Sequence, residues 1–513
     1  MVEYVTMNEK QTALVAVNEQ IKEVAAGTLL SEVLHMEKPC GGRGACGKCK
    51  VIAKGMISKL SEAEKKHLTA DELASGVRLA CMTRVLGDCT VEMLTGRTNA
   101  QIVIDGLLPQ IERNPAFSQY GVAIDIGTTT LAARMYDVKG KLLSEAVCSN
   151  PQSKWGADVI SRIEAAIGGQ ADALADTIRS ALDGMIVELV QKVDVAPQEI
   201  DGLVVTGNTV MLSLLTKESV EPFSHAPFDV RELFGKTVTA RELSLSSLDP
   251  DTRIYLPPCT SAFVGADITC AILASGLCDG QEPAILADIG TNGEMALWHN
   301  GELTVCSTAA GPAFEGVGIS MGMRGETGAI DRVVTRDGLL HAHVIGEGMP
   351  KGICGSGLID AVACMLEIKA VDESGYLEDE PVVISGNVSL TQEDIRMLQL
   401  AKSAICAGMV TLVKEAGLRS HEVKRLLVAG GFGYYLNPKS AGAIGLWPCA
   451  LSARSQAIGN AALGGAAMLL LNASMCSVAE KIASCAHTLE LSTSTVFAQT
   501  YIDGMMLAEI GDE

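Results

Sequence analysis

Features that would assign this chain to some common protein classes are absent or scarce. The sequence contains no Gly-x-x-x-x-Gly-Lys-Ser/Thr motif, which argues against a P-loop nucleotide fold. Basic residues are outnumbered, with 40 Lys and Arg against 61 Asp and Glu, and the net charge is -21. Such an acidic chain repels phosphate backbones, so nucleic acid and anionic membranes are poor candidates as partners.

Long hydrophobic runs are also lacking. The longest apolar stretch, Ala461–Leu471, is interrupted by glycine and is too short to span a bilayer. The opening residues, MVEYVTMNEK, have no apolar core of the kind found in a signal peptide. We therefore expect a cytoplasmic protein whose 16 cysteines stay reduced and bind metal rather than form disulfides.

Aromatic residues make up only 4% of the chain, whereas glycine is abundant at 52 residues. Glycine permits the close backbone approaches that nucleotide sites require. At 513 residues the chain is too long for a single hydrophobic core. We expect a small unit at 1–97, a linker at 98–118 and a larger domain at 119–513, whose two lobes begin near 119 and 283.

The N-terminal unit has the patterns of a mixed α+β fold. Alternating apolar residues predict strands at 3–6 and Thr12–Val17, with further strands at 50–53 and 90–94. A short helix is predicted at 28–35. Ser61 and Glu64 have the spacing of a capping box and predict the start of a second helix.

Four cysteines in this unit, Cys40, Cys46, Cys49 and Cys81, have the spacing C-x5-C-x2-C-x31-C. Four thiolates are the usual ligands of a [2Fe-2S] cluster, and glycines in the first loop let backbone N–H groups approach the sulfur atoms. The spacing resembles that of β-grasp ferredoxins. Two alternatives stay open: zinc in place of the cluster, and Cys89 in place of Cys81 as the fourth ligand.

A repeated loop marks the longer region. Asp125-Ile-Gly-Thr-Thr-Thr130 follows one apolar strand, and Asp288-Ile-Gly-Thr-Asn-Gly293 follows another. Each glycine allows a tight hairpin with backbone N–H groups facing phosphate, the hydroxyls add donors, and the aspartate can hold Mg²⁺ directly or through water. The predicted phosphate-binding residues are Gly127, Thr128, Thr129, Thr130, Gly290, Thr291, Asn292 and Gly293. Two such loops facing each other would hold a nucleotide from both sides.

Two further glycine segments complete the predicted nucleotide site. An apolar strand at 427–429 leads into a glycine turn, where Gly430 and Gly431 are expected to lie against a purine and ribose. A second segment precedes a predicted helix at 358–366, whose N-terminus would attract an anion. The predicted binding residues of this segment are Gly355, Ser356 and Gly357.

The order of these motifs resembles the actin/hexokinase/Hsp70 superfamily of ATPases: a first phosphate motif, a connecting segment at 204–208, a second phosphate motif and an adenosine motif. The resemblance implies a two-lobed, actin-like (ribonuclease H-like) α/β ATPase domain after the ferredoxin domain. It implies ATP and Mg²⁺ as cofactors beside the [2Fe-2S] cluster, with Asp125 and Asp288 as catalytic residues.

Joined to the ferredoxin unit, this domain is similar to the reductive activators of corrinoid proteins in anaerobic methyl-transfer metabolism. The resemblance covers 1–97 and about 119–513, including segments at 460–465 and 491–497 that have no evident chemical role. It implies ATP-dependent transfer of one electron from the cluster to Co(II), regenerating Co(I). The implied partners are a corrinoid protein, a low-potential donor such as a ferredoxin or flavodoxin, and a second copy of the chain in a homodimer.

Three other interpretations fit parts of the sequence. A small-molecule kinase on the same fold would explain the loops but not the cysteines. The second is an ATP-driven electron donor to another low-potential acceptor. The third is a redox sensor that does not turn over ATP. Of the remaining residues, Asp267 is either a cleft carboxylate or a helix-start residue, Cys354 is expected to be structural, and His341 and His343 are expected on one strand face.

Overall fold

The computed structural model describes residues 12–17, 20–34, 44, 49–68, 72–73, 75–93, 111–346, 348–430 and 436–511. The chain divides into two compact units. The first comprises Met1–Thr98 with Pro151–Ala157, and the second comprises Asn99–Asn150 with Asp158–Glu513. Local sequence patterns do not indicate that residues 151–157 group with the first unit, because this grouping depends on tertiary contacts.

Within the described residues, the first unit contains a five-stranded sheet of order β2-β1-β5-β3-β4. Its elements are strands β1 Thr12–Val17, β2 Gln20–Ala25, β3 Lys50–Ile57, β4 Val77–Leu79 and β5 Val85–Met93, and helices α1 Leu30–Val33 and α2 Glu62–His67. β1 is parallel to β5, and the other pairs are antiparallel. This is the mixed sheet predicted for a ferredoxin-like domain.

The local predictions for this unit are partly confirmed. α2 begins at the predicted capping box, with Ser61 N donating to the Glu64 carboxylate and Glu64 N donating to Ser61 Oγ. Strand 50–53 is longer than predicted and continues to Ile57. It can do so because Gly55, at a φ of 116°, lets β5 approach closely; a Cβ there would lie 2.6 Å from Asp88 O.

Other predictions need correction at their boundaries. Strand β1 pairs with β2, whereas the predicted strand at 3–6 lies outside the described residues. The helix predicted at 28–35 begins only at Leu30, because Thr28 is held in a turn by its bond to Ala25 O. The strand predicted at 90–94 begins earlier, at Val85.

The second unit begins with a six-stranded sheet of order β10-β11-β9-β6-β7-β8 in the described residues. Its strands are β6 Tyr120–Ile126, β7 Thr130–Asp137, β8 Leu142–Ser149, β9 Ile200–Gly207, β10 Lys236–Thr239 and β11 Arg253–Leu256, and its helices are α3 Val159–Ala165, α4 Ala171–Gln191, α5 Thr209–Thr216 and α6 Ala266–Ser275. β6, β7 and β8 form an antiparallel meander, and β9 lies parallel to β6.

A second sheet repeats this plan with order β21-β20-β12-β13-β14-β22. Its strands are β12 Ala284–Ile289, β13 Gly293–His299, β14 Glu302–Thr308, β20 Arg425–Ala429, β21 Ser455–Gly459 and β22 Ala486–Thr488. β12, β13 and β14 form the meander, and β20 lies parallel to β12. The structure therefore extends the repeat seen in the two loops to whole sheets.

The remaining elements of the second unit are two small sheets and seven α-helices in the described residues. Two small sheets are formed by β15 Ala329–Arg336, β16 Leu339–Val344 and β17 Gly352–Ile353, and by β18 Val382–Ser385 and β19 Val388–Leu390. The helices are α7 Gly355–Glu367, α8 Gln392–Glu415, α9 Pro438–Ala443, α10 Cys449–Ser452, α11 Ala461–Leu471, α12 Met475–Cys485 and α13 Thr495–Asp503. α7 starts three residues before the predicted helix at 358–366.

The two sheets of the second unit share a hydrophobic core. Ala123 of β6, Leu286 of β12 and Leu469 of α11 are fully buried in one cluster. α11 packs against α6 so closely that a Cβ on Gly465 would lie 2.0 Å from Cys270 O. Burial of this apolar surface holds the two lobes together.

One helix in the described residues, α8, is long and apolar enough to cross a bilayer. However, 83% of its most apolar window is buried inside the protein. Its side chains contact β13 and β14, and Leu398, Ile405 and Leu412 belong to the core cluster of the second lobe. The apolar character of α8 is therefore explained by its place in the core.

Candidate nucleotide and cluster sites

A cavity of about 260 Å³ lies between the two lobes of the second unit. Strand register explains why separate motifs meet there. β6 pairs in parallel with β9 so that Asp125 lies opposite Thr206, and β12 pairs with β20 so that Asp288 lies opposite Ala429. Carboxyl ends of parallel strands point to the same edge of a sheet, where ligands usually bind in α/β folds.

Most of the predicted nucleotide-site residues line this cavity. They are Asp125, Gly127, Thr128, Thr129, Thr130, Asp288, Gly290, Thr291, Asn292, Gly355, Ser356 and Gly430. Gly293 and Gly357 are not among the lining residues. A Cβ on Gly293 would lie 2.3 Å from Ile405 Cδ1, and one on Gly357 would lie 2.2 Å from Ile330 O, so these glycines serve close packing. Gly431 lies outside the described residues.

The two phosphate loops meet at their threonines. Thr129 Oγ1 and Thr291 Oγ1 are 3.1 Å apart, and each donates to Glu315 Oε2, at 2.5 and 2.9 Å. The glycine N–H groups close the hairpins instead of facing outwards, since Gly127 N donates to Thr130 O and Gly290 N donates to Asn292 O. The threonine hydroxyls, by contrast, donate to Glu315 within the cleft.

Gly430, the residue after strand β20, lies against the second loop. Gly430 has a φ of 96°, and a Cβ there would lie 2.9 Å from Asp288 Oδ1. Only glycine fits so close to this carboxylate. The rest of the predicted adenosine turn, 431–435, lies outside the described residues.

Five acidic side chains line the cavity, and burial raises the pKa of four of them: Asp125, Asp267, Asp288 and Glu294. Desolvation, followed by repulsion from Asp267 and Asp125, raises the pKa of Asp288 to about 7. Desolvation also raises the pKa of Asp125 to about 7 and that of Asp267 to about 6. The pKa of Glu294 lies well above its usual value for the same reason, with Asp267 and Asp288 adding to the shift. Ionising all four carboxylates together is costly without a cation.

This donor set suits a hard cation, because carboxylate and hydroxyl oxygens are what Mg²⁺ prefers. No group of three or more His, Cys, Asp or Glu side chains forms a ready-made metal cage in the part of the chain that the structure describes. Mg²⁺ is usually held by one or two carboxylates together with phosphates and waters. The carboxylates of Asp125 and Asp288 therefore fit an Mg²⁺ ion that would bind together with a nucleotide.

Two asparagines connect helix starts to the first phosphate loop. Asn208 caps α5 by accepting from Met211 N, and its Nδ2 donates to Thr128 Oγ1 at 3.2 Å. Asn460 caps α11 by accepting from Leu463 N, and its Nδ2 donates to Asp125 Oδ2 at 3.0 Å. The segment at 460–465, which had no chemical role in the sequence, thus starts at the nucleotide cleft.

Sequence reasoning missed Glu294, Glu315 and Arg324, which also line the cavity. Glu294 directly follows the second loop, where an acid next to a phosphate motif is a weak signal. Glu315 lies in a short helix between glycines at positive φ, Gly311 and Gly316, and this glycine spacing was the available clue. Arg324 Nη1 donates to Ser149 Oγ, a pairing that depends on tertiary structure.

The structure also gives positions for the other residues considered in the sequence analysis. Asp267 is both a cleft residue and the first-turn acid of α6. Cys354 is buried and lines the cavity, with its Sγ 3.4 Å from Ser356 Oγ. His341 and His343 are exposed at alternate positions of β16 and therefore share a strand face, and His343 Nδ1 is 2.6 Å from Asp331 Oδ1.

Two of the three described cysteines of the first unit form a thiol pair. Cys49 Sγ lies 3.2 Å from Cys81 Sγ without a disulfide, and Cys81 N donates to Cys49 Sγ at 3.4 Å. The hydrogen bond from Cys81 outweighs burial and lowers the pKa of Cys49 to about 7. Thiolates held side by side and met by a backbone N–H fit two ligands of one iron–sulfur cluster. Cys40 and Cys46 lie outside the described residues.

A buried acid braces the loop that carries Cys81. Glu64 is fully buried and accepts from Arg78 Nε at 2.8 Å, Leu79 N at 3.1 Å and Thr83 Oγ1 at 3.1 Å. Burial raises the pKa of Glu64, but these bonds and those from Ser61 outweigh it and bring the pKa to about 2. The carboxylate is thus ionised and fixes both sides of the Cys81 turn.

Two packed sheets with repeated phosphate loops define the ATPase fold of the actin/hexokinase/Hsp70 superfamily, preceded by a ferredoxin-type domain. Family comparisons agree: residues 7–86 match the 2Fe-2S iron-sulfur cluster binding domain, 120–279 the RACo middle region, and 282–513 the C-terminal domain of RACo, the ASKHA domain.

Individual relatives narrow the assignment. The chain is 31% identical to the corrinoid activation enzyme RamQ of Eubacterium limosum over 82% of this chain and 76% of that protein. It is 25% identical to the [Co(II) methylated amine-specific corrinoid protein] reductase of Methanosarcina barkeri over 75% and 76% of the two chains. A solved structure of a reductive activator for corrinoid, iron-sulfur protein superposes with a TM-score of 0.70 at 29% identity, covering 96% of this chain and 98% of that one. The chain belongs to the family of reductive activators of corrinoid proteins.

Proposed function

We propose that the protein uses ATP binding and hydrolysis to drive one electron from its [2Fe-2S] cluster to the Co(II) of a corrinoid protein, which regenerates Co(I). The observation that carries the proposal is the meeting of the two phosphate loops, with Thr129 Oγ1 and Thr291 Oγ1 3.1 Å apart in a cavity lined by Asp125 and Asp288. The name of the Methanosarcina barkeri relative supports Co(II) as the form of the substrate.

Redox arithmetic gives a reason for ATP. A plant-type ferredoxin cluster has a reduction potential of about −400 mV. We expect the reduction potential of the partner's Co(II)/Co(I) couple to be lower. For one electron, a gap on the order of 0.1–0.2 V corresponds to about 2–5 kcal/mol. A partner-bound state that ATP favours can supply this amount through its differential affinity.

The residues of the cleft have distinct roles in this proposal. Asp288 and Asp125 would hold Mg²⁺ from the two loops, where the ion would supply positive charge against the phosphates. Asp288 also orients the attacking water. Thr129 and Thr291 donate to phosphate oxygens from opposite lobes, so nucleotide binding draws the lobes together.

Anaerobic spectroscopy tests the proposal. The reduced, cluster-loaded protein is mixed with a candidate Co(II) corrinoid protein, and Co(I) absorbance is followed with ATP, with ADP and without nucleotide. We expect Co(I) only with ATP. An Asp288→Asn variant should lose this rate by roughly 100-fold or more, the size of effect seen when one charge-stabilising group is removed from an active site.

The matched control is Asp229→Asn, which changes an exposed aspartate of the same unit. It should retain the wild-type rate. Reduction that proceeds equally well without ATP, or that survives in Asp288→Asn, would show that the ATP site does not drive the electron transfer.

The same proposal includes a cytoplasmic location, a reduced ferredoxin or flavodoxin as the electron donor, and a homodimer. The location is supported by the 16 cysteines, which we expect to stay reduced, and the donor and the homodimer are supported by the family resemblance. Sedimentation analysis and reduction assays with purified donors check the last two directly.

A further inference from the structure

One oxygen atom, Glu315 Oε2, links the two phosphate loops. It accepts a hydrogen bond from Thr129 Oγ1 in the first lobe at 2.5 Å and from Thr291 Oγ1 in the second lobe at 2.9 Å. Hydrogen bonds to an ionised acceptor are short and roughly twice as strong as neutral ones. A single carboxylate therefore holds side chains from both sheets in one contact.

The backbone fixes the position of this carboxylate. Glu315 ends the short helix Pro312–Glu315, which is flanked by Gly311 at a φ of 79° and Gly316 at a φ of 76°. A Cβ on Gly316 would lie 2.6 Å from Met323 N, and Gly311 N donates to Thr291 O at 2.9 Å. Phe314 is 2% exposed in the core. The turn is built into the lobe and aims Glu315 at the two hydroxyls.

Each threonine hydroxyl has one proton to donate. The proton that serves Glu315 cannot at the same time serve a phosphate oxygen. A carboxylate and a phosphate also repel each other because both are anionic. Phosphate held by the two loops and the Glu315 carboxylate therefore compete for the same pair of donors.

We propose that Glu315 is a positioning residue that makes the cleft sensitive to the terminal phosphate of its nucleotide, acting through Thr129 and Thr291. The inference rests on the proposed function and adds a residue to it. The two hydroxyls have alternative acceptors, the Glu315 carboxylate or the terminal phosphate. When the nucleotide lacks that phosphate, both hydroxyls continue to donate to Glu315. Two discrete arrangements of this kind are what a ligand-driven population shift requires.

Nucleotide affinity tests this competition in the full-length, cluster-loaded protein. Calorimetric titrations with ATP and with ADP are compared for wild type, Glu315→Gln and Glu315→Ala. Removing the competing carboxylate should tighten ATP binding by roughly tenfold, the equivalent of one hydrogen bond to a charged group, and should change ADP affinity by less than about twofold. Gln keeps an acceptor without the charge, so its effect should be the smaller of the two.

Glu302→Gln, at an exposed position at the start of β14, is the matched control and should leave both affinities unchanged. Adding Thr291→Val removes one shared donor, so Glu315→Gln should have less than half of its effect in that background, as a double-mutant cycle measures. This cycle uses near-isosteric changes and keeps the test valid if Glu315→Ala fails to fold.

Unchanged ATP affinity in both Glu315 variants would overturn the inference, as would an equal gain for ATP and ADP. A loss of ATP turnover without any change in nucleotide affinity would assign Glu315 to the chemical step, and this result would also reject the inference. A wild-type protein that binds ATP and supports ATP-dependent Co(I) formation would, in each of these cases, leave the proposed function standing. A wild-type protein that does not bind ATP removes both.

Discussion

Asn460 Nδ2 donates a hydrogen bond to Asp125 Oδ2 over 3.0 Å, joining two residues that are 335 positions apart. Asp125 is the penultimate residue of strand β6, and Asn460 caps helix α11, which packs against β6, β9 and α6. The bond favours the ionised form of Asp125, in opposition to the desolvation that raises its pKa to about 7. The hydrogen bond from Asn460 therefore offsets part of the rise in the pKa of a predicted Mg²⁺ ligand.

The first prediction concerns this contact. Asn460→Ala removes the bond, so the pKa of Asp125 should rise further and the acid limb of the ATP hydrolysis profile should move up by about one pH unit. Asn460→Ser can still cap α11 but is too short to reach Asp125. It should shift the limb equally, while only Asn460→Ala loses about 1 kcal/mol of stability. If only Asn460→Ala shifted the acid limb, the cause would be fraying of α11 and not the lost bond to Asp125.

The second prediction concerns pH and Mg²⁺. Asp125 and Asp288 have folded pKa values of about 7, above the ordinary value of 3.8, so the folded protein holds protons that the unfolded chain has released. Stability should therefore fall as pH rises from about 4 to 7, by up to about 1.4 kcal/mol per pH unit for each group. Denaturant unfolding should show a shallower slope for Asp288→Asn, and Mg²⁺ should restore wild-type stability near pH 7. Equal slopes in the two proteins would contradict the assignment.

A third prediction tests the brace under the cluster loop. Glu64→Gln leaves Arg78 buried opposite a neutral partner and should destabilise the first unit by roughly 3–5 kcal/mol. Because the pKa of Glu64 is about 2, its contribution is complete above about pH 4.5 and disappears as pH falls towards 2. Thermal loss of the visible cluster absorbance measures the effect. Glu62→Gln, whose side chain is 88% exposed, is the control and should change little.

The fourth prediction decides between the two candidates for the fourth cluster ligand. Cys81 has its thiol 3.2 Å from that of Cys49, whereas Cys89 is buried in β5, where desolvation raises its pKa. Cys81→Ser should lose most of the iron and labile sulfide of the anaerobically purified protein, and Cys89→Ser should retain both. The opposite result would make Cys89 the ligand. Zinc without sulfide in the wild type would replace the cluster altogether.

A fifth prediction concerns the contact between α11 and α6. Gly465→Ala places a methyl group 2.0 Å from Cys270 O. The resulting overpacking should lower the free energy of unfolding by about 1–3 kcal/mol. Gly184→Ala, in the exposed part of α4, meets no atom within 4 Å and should stabilise the protein by about 0.5–1 kcal/mol. Chemical unfolding of both variants measures the difference. Similar effects would mean that α11 and α6 do not pack this tightly.

Much of the architecture was predictable because its signals are local. The capping box at Ser61, the glycine hairpins after Asp125 and Asp288, and the cysteine spacing each depend on residues a few positions apart. The duplicated loops also predicted two similar lobes, and both sheets contain the same antiparallel meander with a parallel strand beside it, although their edge strands differ. Gly293 and Gly357 show the limit of such signals, since a glycine in a phosphate motif and a glycine at a packing contact look alike in sequence.

By itself, then, the sequence determined the order of the elements and the kinds of site, because turns, caps and ligand spacings are set by neighbouring residues. Only the tertiary structure decided which side chains share the cleft. Asn460, Glu315 and Asp267 share the cleft with Asp125 and Asp288 because strand pairing and helix packing bring together residues up to 335 positions apart. Those contacts, and the desolvation that raises the pKa of the cleft carboxylates, depend on how the two lobes pack against each other and not on any short run of residues.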